Sequence, residues 1–140
     1  MKLKVITVGK VKTPWIREGI MEYLKRLPQI DFQEIKDSTI EKEARQLLAL
    51  LKPQERLILL MEAGREYSSL EFAEWMQTQI SHNPVFVVAG PEGWSPTLVE
   101  RADQCLSLSK LTFPHELAVL LLVEQLYRTH MIQRNTSYHR

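Results

Sequence analysis

The sequence predicts an α/β fold in which a mostly parallel sheet is flanked by helices. Short runs rich in Val, Ile and Leu alternate with segments whose apolar residues recur every three or four positions. This alternation is typical of βα units, and five such units can be counted. With 140 residues the chain has the length of one domain, so we expect residues 1–140 to form a single domain with one site.

The first unit begins at the start of the chain. Residues 2–8 predict the first strand, and Thr13-Pro14 supplies an N-cap and a first-turn proline for the helix that follows. Residues 31–36 predict a second, weaker strand.

The middle of the chain predicts a helix and a buried strand. Ser38 and Glu41 have the spacing of a capping box, which predicts a helix that ends before Pro53. The continuous apolar run over 56–61 is typical of an interior strand of a parallel sheet. We expect Gly64 to end that strand.

Two further strands follow. Ser68 and Glu71 form a second capping box before a third helix, and residues 84–89 predict the fourth strand. Ser95-Pro96 begins a short helix that extends to about residue 102, and residues 105–109 predict the fifth strand.

The last helix begins at Pro114 and contains an unusual apolar run. Residues 117–123 (LAVLLLV) are all apolar, but seven residues are far fewer than the ~20 that a membrane span needs. A helix that is apolar on every side must be covered on more than its sheet-facing side. A homodimer interface is the favoured explanation, and complete burial within the monomer is the alternative.

Composition and charge exclude several classes of protein. The chain is 44% hydrophobic and 25% charged, which is typical of a folded protein and not of a disordered one. A net charge of +1 gives no overall basic character of the kind that marks many nucleic-acid-binding proteins. The four histidines and one cysteine lack the spacing of a metal centre, so we expect no metal. No apolar signal segment follows the first residues, which favours the cytoplasm.

Three loops are candidates for a binding site. In open parallel sheets, ligands bind beyond the carboxyl ends of the strands. The loops 60–65, 89–94 and 109–115 follow the third, fourth and fifth predicted strands. No Gly-rich nucleotide motif of the GxGxxG or GxxxxGK[ST] type can be written with the five glycines, so folds of those two kinds are excluded. Each loop alone is more often a plain turn, but their occurrence after three consecutive strands favours a site.

Several stretches together resemble a known enzyme family. They are VFVVAGPEG (85–93), LSLSKLTFPHELA (106–118), LLVEQLYR (121–128) and the closing Tyr138-His139. The opening MKLKVITVGKVK (1–12) also looks like the family's first strand. The resemblance is to the ribosomal RNA large subunit methyltransferase H family, small SPOUT-type enzymes that methylate N3 of a pseudouridine in 23S rRNA.

The resemblance implies a cofactor, a partner and a fold detail. The cofactor is S-adenosylmethionine, the substrate is 23S rRNA in the assembled ribosome, the enzyme is a homodimer, and the C-terminal part forms a trefoil knot. The implied cofactor-binding residues are Leu60, Ala89, Gly90, Gly93, Leu108, Ser109, Lys110, Leu111, Thr112 and Phe113.

The resemblance also implies that the C-terminal tail takes part in catalysis. Because an imidazole exchanges protons near neutral pH, we expect His139 to act as general base or to orient the target base. We expect Tyr138 to stack on that base or position it. The residues expected to contact RNA are Arg128, Arg134, Arg140 and His115. Two alternatives remain open: a non-catalytic ribosome-binding factor with the same fold, and a SPOUT enzyme that acts on tRNA.

Overall fold

The computed structural model describes residues 2–139. Within them, five parallel strands form one sheet with the order β2-β1-β4-β3-β5. The strands are β1 Leu3–Val8, β2 Ile30–Ile35, β3 Arg56–Glu66, β4 Pro84–Val88 and β5 Gln104–Ser107. The helices are α1 Pro14–Lys25, α2 Ile40–Leu50, α3 Ser69–Gln79, α4 Pro96–Arg101 and α5 His115–Gln133, with a 3₁₀ turn Ile80–His82 after α3. The predicted α/β fold with a parallel sheet is confirmed.

The sheet is buried on both faces between two layers of helices. All five residues of β4, the middle strand, are buried. Because successive side chains of a strand point to opposite faces, Phe86 packs against α1, α3 and α5. Val85 and Val87 pack against α2 and α4 on the other face. The continuous apolar runs of the sequence are explained by this double coverage.

The last helix, α5, lies at the centre of one helical layer. Val119, Leu122, Val123 and Leu126 are completely buried. Helices α1 and α3 of the same chain pack on either side of α5 and so cover much of its apolar surface. Between residues 2 and 139, no helix combines the length and apolar character that crossing a bilayer requires. The homodimer stays a prediction.

One of the two predicted capping boxes is wrong. The N-cap of α2 is Thr39, whose hydroxyl accepts a hydrogen bond from the Lys42 N–H at 3.2 Å. Ser38 lies one residue earlier, so it does not form the predicted pair with Glu41. Its backbone N–H instead donates to the Glu43 carboxylate at 2.7 Å. The other predicted box, at the start of α3, is confirmed.

The prediction that Gly64 ends the third strand is also wrong. β3 continues past it and pairs with β5 on both sides of a bulge, so that Leu60 and Arg65 both align with Leu106. A Cβ atom at Gly64 would lie 2.7 Å from the carbonyl carbon and oxygen of Cys105. Glycine therefore permits a close approach of β3 to β5 and does not terminate the strand.

Candidate functional site

A cavity of ≈ 820 Å³ lies beyond the carboxyl ends of β3, β4 and β5. This volume falls within the roughly 300–1,000 Å³ typical of pockets that hold a cofactor or a drug-sized ligand. Three segments form its walls: the β3 bulge, the loop after β4, and the loop between β5 and α5. The predicted cofactor residues that line it are Leu60, Ala89, Gly90, Gly93, Leu108, Ser109, Leu111, Thr112 and Phe113.

Two hydrogen bonds join the β3 bulge to the other two segments. The indole N–H of Trp94 donates to the Leu60 carbonyl oxygen at 3.1 Å. The Thr112 hydroxyl donates to the Glu62 carboxylate at 2.9 Å. Trp94 and Glu62 both line the cavity; they lie in two of the loops predicted to form the site, but neither was among the residues expected to bind the cofactor. The bulge therefore holds the three walls together.

The loop after β4 is a tight turn built on two glycines. β4 ends at Val88, one residue before its predicted end, so Ala89 is the first residue of the loop. The N–H of Gly93 donates to the Gly90 carbonyl oxygen at 3.1 Å, and Gly93 has a φ of 85°. Glycine adopts such a left-handed conformation without the steric cost that a side chain would impose. The turn brings backbone groups to the cavity wall.

The loop after β5 is stabilised by its own serines. The Ser107 hydroxyl donates to the Ser109 carbonyl oxygen at 2.9 Å, and the Leu111 N–H donates to the Ser109 hydroxyl at 3.0 Å. Lys110 is the one predicted cofactor residue that does not line the cavity. Its side chain is 86% exposed and lies 3.9 Å from the Glu66 carboxylate.

The first turn of α5 closes the cavity on the side of the β1–α1 loop. The Glu116 carboxylate accepts hydrogen bonds from the backbone N–H groups of Lys12 and Thr13 at 3.0 and 3.1 Å. The bond from Lys12 contributes most to lowering the pKa of Glu116. His115, which we expected to contact RNA, lines the cavity, and its buried Nε2 has no hydrogen-bond partner among residues 2–139.

The C-terminal tail packs against α5 of its own chain and does not line the cavity. The Tyr138 hydroxyl donates to the Glu124 carboxylate at 2.9 Å, and the Arg128 guanidinium lies 5.0 Å from the centre of the Tyr138 ring. Arg128 also bonds to Glu124 at 2.8 Å and to Nδ1 of His139 at 3.1 Å. These four residues, Glu124, Arg128, Tyr138 and His139, are called the tail cluster below.

The hydrogen bonds of the tail cluster fix its protonation. Burial, together with hydrogen bonds to Tyr23 and Glu124, raises the pKa of Tyr138, so its hydroxyl is protonated at neutral pH. A guanidinium has donors only, so Nδ1 of His139 is the acceptor in its bond with Arg128. A neutral imidazole in this arrangement carries its proton on Nε2. That nitrogen is then a hydrogen-bond donor.

The tail cluster and the cavity lie at different heights along α5. Arg128 follows His115 by 13 residues, a separation of about 20 Å along the helix axis. Helix α1 packs beside α5, and its residues show the same separation between the cavity and the tail cluster. Ile16 lines the cavity. Tyr23, which contacts Tyr138, follows it by two turns.

Arg134, another residue expected to contact RNA, lies away from the cavity. Arg134 is exposed beyond the end of α5, beside a smaller depression of ≈ 330 Å³ that also includes His130. Arg140 lies outside the described residues. Among the described residues, no group of three His, Cys, Asp or Glu side chains is placed to hold a metal ion.

The fold and the cavity define a class of protein: a parallel α/β protein with a ligand-sized cavity beyond the carboxyl ends of three neighbouring strands. Comparison with known sequences assigns the family. The chain belongs to the SPOUT methyltransferases, because the family described as "Predicted SPOUT methyltransferase" matches residues 1–139.

Curated relatives match over nearly the whole chain. The chain is 48% identical over 139 residues to the ribosomal RNA large subunit methyltransferase H of Synechococcus sp. (strain RCC307). The matched region covers 99% of this chain and 95% of the relative. The chain is 42% identical over 139 residues to the enzyme of the same name from Prochlorococcus marinus, with 99% and 96% covered. The corresponding protein of Parasynechococcus marenigrum is 44% identical. The family resemblance expected from the sequence is confirmed.

Proposed function

We propose that this protein transfers a methyl group from S-adenosylmethionine to N3 of a pseudouridine in 23S rRNA of the assembled ribosome, in the cytoplasm. The observation that carries the proposal is the cavity built from three backbone segments at the carboxyl ends of β3, β4 and β5. Its lining includes nine of the ten residues expected to bind the cofactor. The names of the relatives, all large-subunit rRNA methyltransferases, support the choice of substrate.

The chemistry of the cavity fits S-adenosylmethionine. Leu60, Leu108 and Phe113 provide apolar wall for a flat purine ring, and the glycine turn provides backbone groups close to the ligand. The carboxylates of Glu62 and Glu116 stand among the lining residues and complement a cationic ligand. When bound, S-adenosylmethionine supplies a methyl group activated by its sulfonium.

The task of the protein is to hold the reacting nitrogen and the methyl carbon in line. Such positioning contributes up to ~7–11 kcal/mol to lowering the barrier of a two-reactant step. The imide N3 loses its proton to solvent water in the reaction, and negative charge develops on the two carbonyl oxygens that flank it. Donors aimed at those oxygens stabilise the charge. Nε2–H of His139 is suited to this role, which supports His139 as an orienting donor and not as the general base, whereas the single hydroxyl hydrogen of Tyr138 is already donated to Glu124.

The separation of the tail cluster from the cavity supports a site shared by two chains. In one chain the tail is held against α5 and away from the cavity by Glu124 and Arg128. We propose that the tail cluster of one protomer faces the cavity of the other in a homodimer. Leu117 and Leu121 on α5 are only half-buried, and they are available to pack against a second copy.

The test uses purified protein, S-adenosylmethionine and ribosomes from a strain that lacks the gene. We expect the protein to add one methyl group to 23S rRNA, which mass mapping of RNA fragments locates on a pseudouridine. Calorimetry measures S-adenosylmethionine binding separately, because a non-catalytic ribosome-binding factor has no reason to bind it. Methylation of tRNA in place of 23S rRNA, or absence of cofactor binding, would refute the proposal.

A further inference from the structure

We propose that Lys10, Lys12 and Trp15 form a contact surface for single-stranded RNA beside the cavity, in which the indole stacks on an unpaired base and the lysines bind the flanking phosphates. We call these three residues the β1–α1 surface. The inference deepens the proposed function, on which it rests, by naming a part of the chain that receives the RNA.

Trp15 is the only one of the three tryptophans whose ring has no structural role within residues 2–139. Trp75 packs in an aromatic cluster with Tyr67 and Phe86. Trp94 donates its indole N–H inside the cavity. Trp15 is 63% exposed, although burying a tryptophan in water-excluded contact is strongly favourable. An exposed, unpacked indole is therefore available to a partner.

Trp15 lies next to the cavity, although its ring is not among the lining residues. It lies in the first turn of α1, between Thr13 and Ile16 in sequence, and both of these line the cavity. A base stacked on Trp15 would therefore lie beside the cavity that we propose holds the cofactor.

The backbone that carries the two lysines is held rigidly. The N–H of Val11 donates to the Glu34 carboxylate at 2.7 Å. Arg17 binds the same carboxylate through both terminal nitrogens, at 3.0 and 3.1 Å. Burial alone would raise the pKa of Glu34, but the hydrogen bonds from Arg17 and Val11 outweigh it and lower that pKa. The N–H of Lys12 is held by Glu116.

These bonds use backbone groups, so the lysine side chains stay free. Lys10 and Lys12 are both exposed, and neither forms a salt bridge with any carboxylate of residues 2–139. Glu34 and Glu116, the two carboxylates that hydrogen-bond to backbone N–H groups of residues 11–13, already hold those groups. The charge of Lys10 acts on Glu34 only at a distance beyond that of a salt bridge, so the loop presents two lysine side chains without a close ion-pair partner among residues 2–139.

Charge complementarity selects RNA as the occupant. A second copy of this chain has a net charge of +1 and offers no overall negative surface for the lysines. RNA supplies both a phosphate for each lysine and an aromatic face for the indole. Stacking requires a base that is not already stacked in a helix, so the partner is a single-stranded loop.

The first experiment replaces the ring. Loss of base stacking on an aromatic side chain costs ~1–3 kcal/mol, so Trp15→Ala should raise the KM for ribosomes about 5- to 140-fold. Trp15→Phe keeps an aromatic face and should recover most of that loss. The Kd for S-adenosylmethionine and the kcat at saturating ribosome should be unchanged. Leu70→Ala is the matched control, because Leu70 is a large apolar side chain, 54% exposed, on α3.

The second experiment removes the charges. Each phosphate contact to single-stranded RNA contributes about 0.7 to the slope of log Kd against log salt, so the Lys10→Gln/Lys12→Gln double variant should lower that slope by about 1.4. The probe is a single-stranded RNA oligonucleotide, with binding followed by quenching of tryptophan fluorescence. Lys42→Gln, at an exposed position on α2, is the control and should leave the slope unchanged.

The two readouts separate this inference from the proposed function. If wild-type protein methylates 23S rRNA but the Trp15 and lysine variants match it in KM and salt slope, the inference is wrong and the proposed function stands. If wild-type protein does not methylate rRNA, the proposed function fails. If Trp15→Ala instead weakens self-association in sedimentation, the surface lies between two copies of the chain, which also overturns the inference.

Discussion

A mixed dimer tests whether the tail of one protomer completes the cavity of the other. Ala89→Trp places an indole in the cavity wall and blocks the cofactor, whereas His139→Ala removes a donor from the tail cluster. Co-expressed with different tags and purified in tandem, the two variants give a dimer in which each chain carries one defect. One chain then has an intact cavity and the other an intact tail.

The expected activity follows from the geometry of one chain. Six residues separate Gln133 from His139 and span about 20 Å when fully extended. His115, which lines the cavity, lies about 27 Å back along α5. Because the tail is held against α5 at Glu124 and Arg128, away from its own cavity, we expect one of the two sites in the mixed dimer to be complete. We expect about half of the wild-type methylation rate, since a two-fold dimer has two equivalent sites.

The control reverses the arrangement. Both substitutions are placed on one chain, and the other chain stays wild type. With a shared site this dimer should be inactive, because the intact cavity faces the defective tail. The activity of both mixed dimers is measured as the incorporation of labelled methyl groups from the cofactor into ribosomes. If the control keeps half of the activity and the first mixed dimer keeps none, the tail serves its own chain and our reasoning is refuted.

Three further substitutions test individual contacts. His139→Ala removes a donor to the transition state and should lower kcat about 10²–10³-fold. His139→Gln keeps an amide donor and should lower kcat much less. An equal decrease of kcat in the two variants would contradict the orienting role. Gly64→Ala forces a Cβ to within 2.7 Å of the β5 backbone. It should therefore lower the free energy of unfolding, measured by urea denaturation, by about 1–3 kcal/mol. The control Ala63→Gly, at the exposed neighbouring position, should lower that free energy much less. The pKa of Glu34 is lowered below 4.5 in the folded state, so its stabilisation is complete above that pH and is lost as the pH falls through the folded value. The free energy of unfolding of Glu34→Gln should therefore fall less than that of wild type between about pH 5 and pH 3, and parallel curves would show that this carboxylate does not contribute.

The order of helices and strands could be predicted because each is encoded locally. Alternating apolar runs and helical spacing gave all five strands and all five helices. The errors arose where neighbouring residues offer equal local chemistry. Ser38 and Thr39 are both good N-caps, and only packing of the helix decides between them. Gly64 is a plausible strand end, and only the approach of β5 shows why glycine is needed there.

The site could be predicted as a set of loops but not as a connected structure. The bonds of Trp94 to Leu60 and of Thr112 to Glu62 join residues that are 34 and 50 positions apart. Their pairing depends on the bulge in β3, which no local pattern indicates. The position of the tail was hidden for the same reason, because Tyr138 folds back to contact α5.

The bond between Lys12 and Glu116 has a consequence for the order in which the protein folds. These partners are 104 residues apart in sequence, so Lys12 and Thr13 gain their bonds to Glu116 only after the last helix has been synthesised, although Glu34 holds Val11 of the same loop earlier. β1, β2 and β4 are all made earlier and can pair before that point. Contacts of such long range slow folding, because the chain entropy is lost before the contact is gained. We therefore expect the cavity to form in the last step of folding, and a chain that has not yet left the ribosome that makes it to be unable to hold the methyl donor.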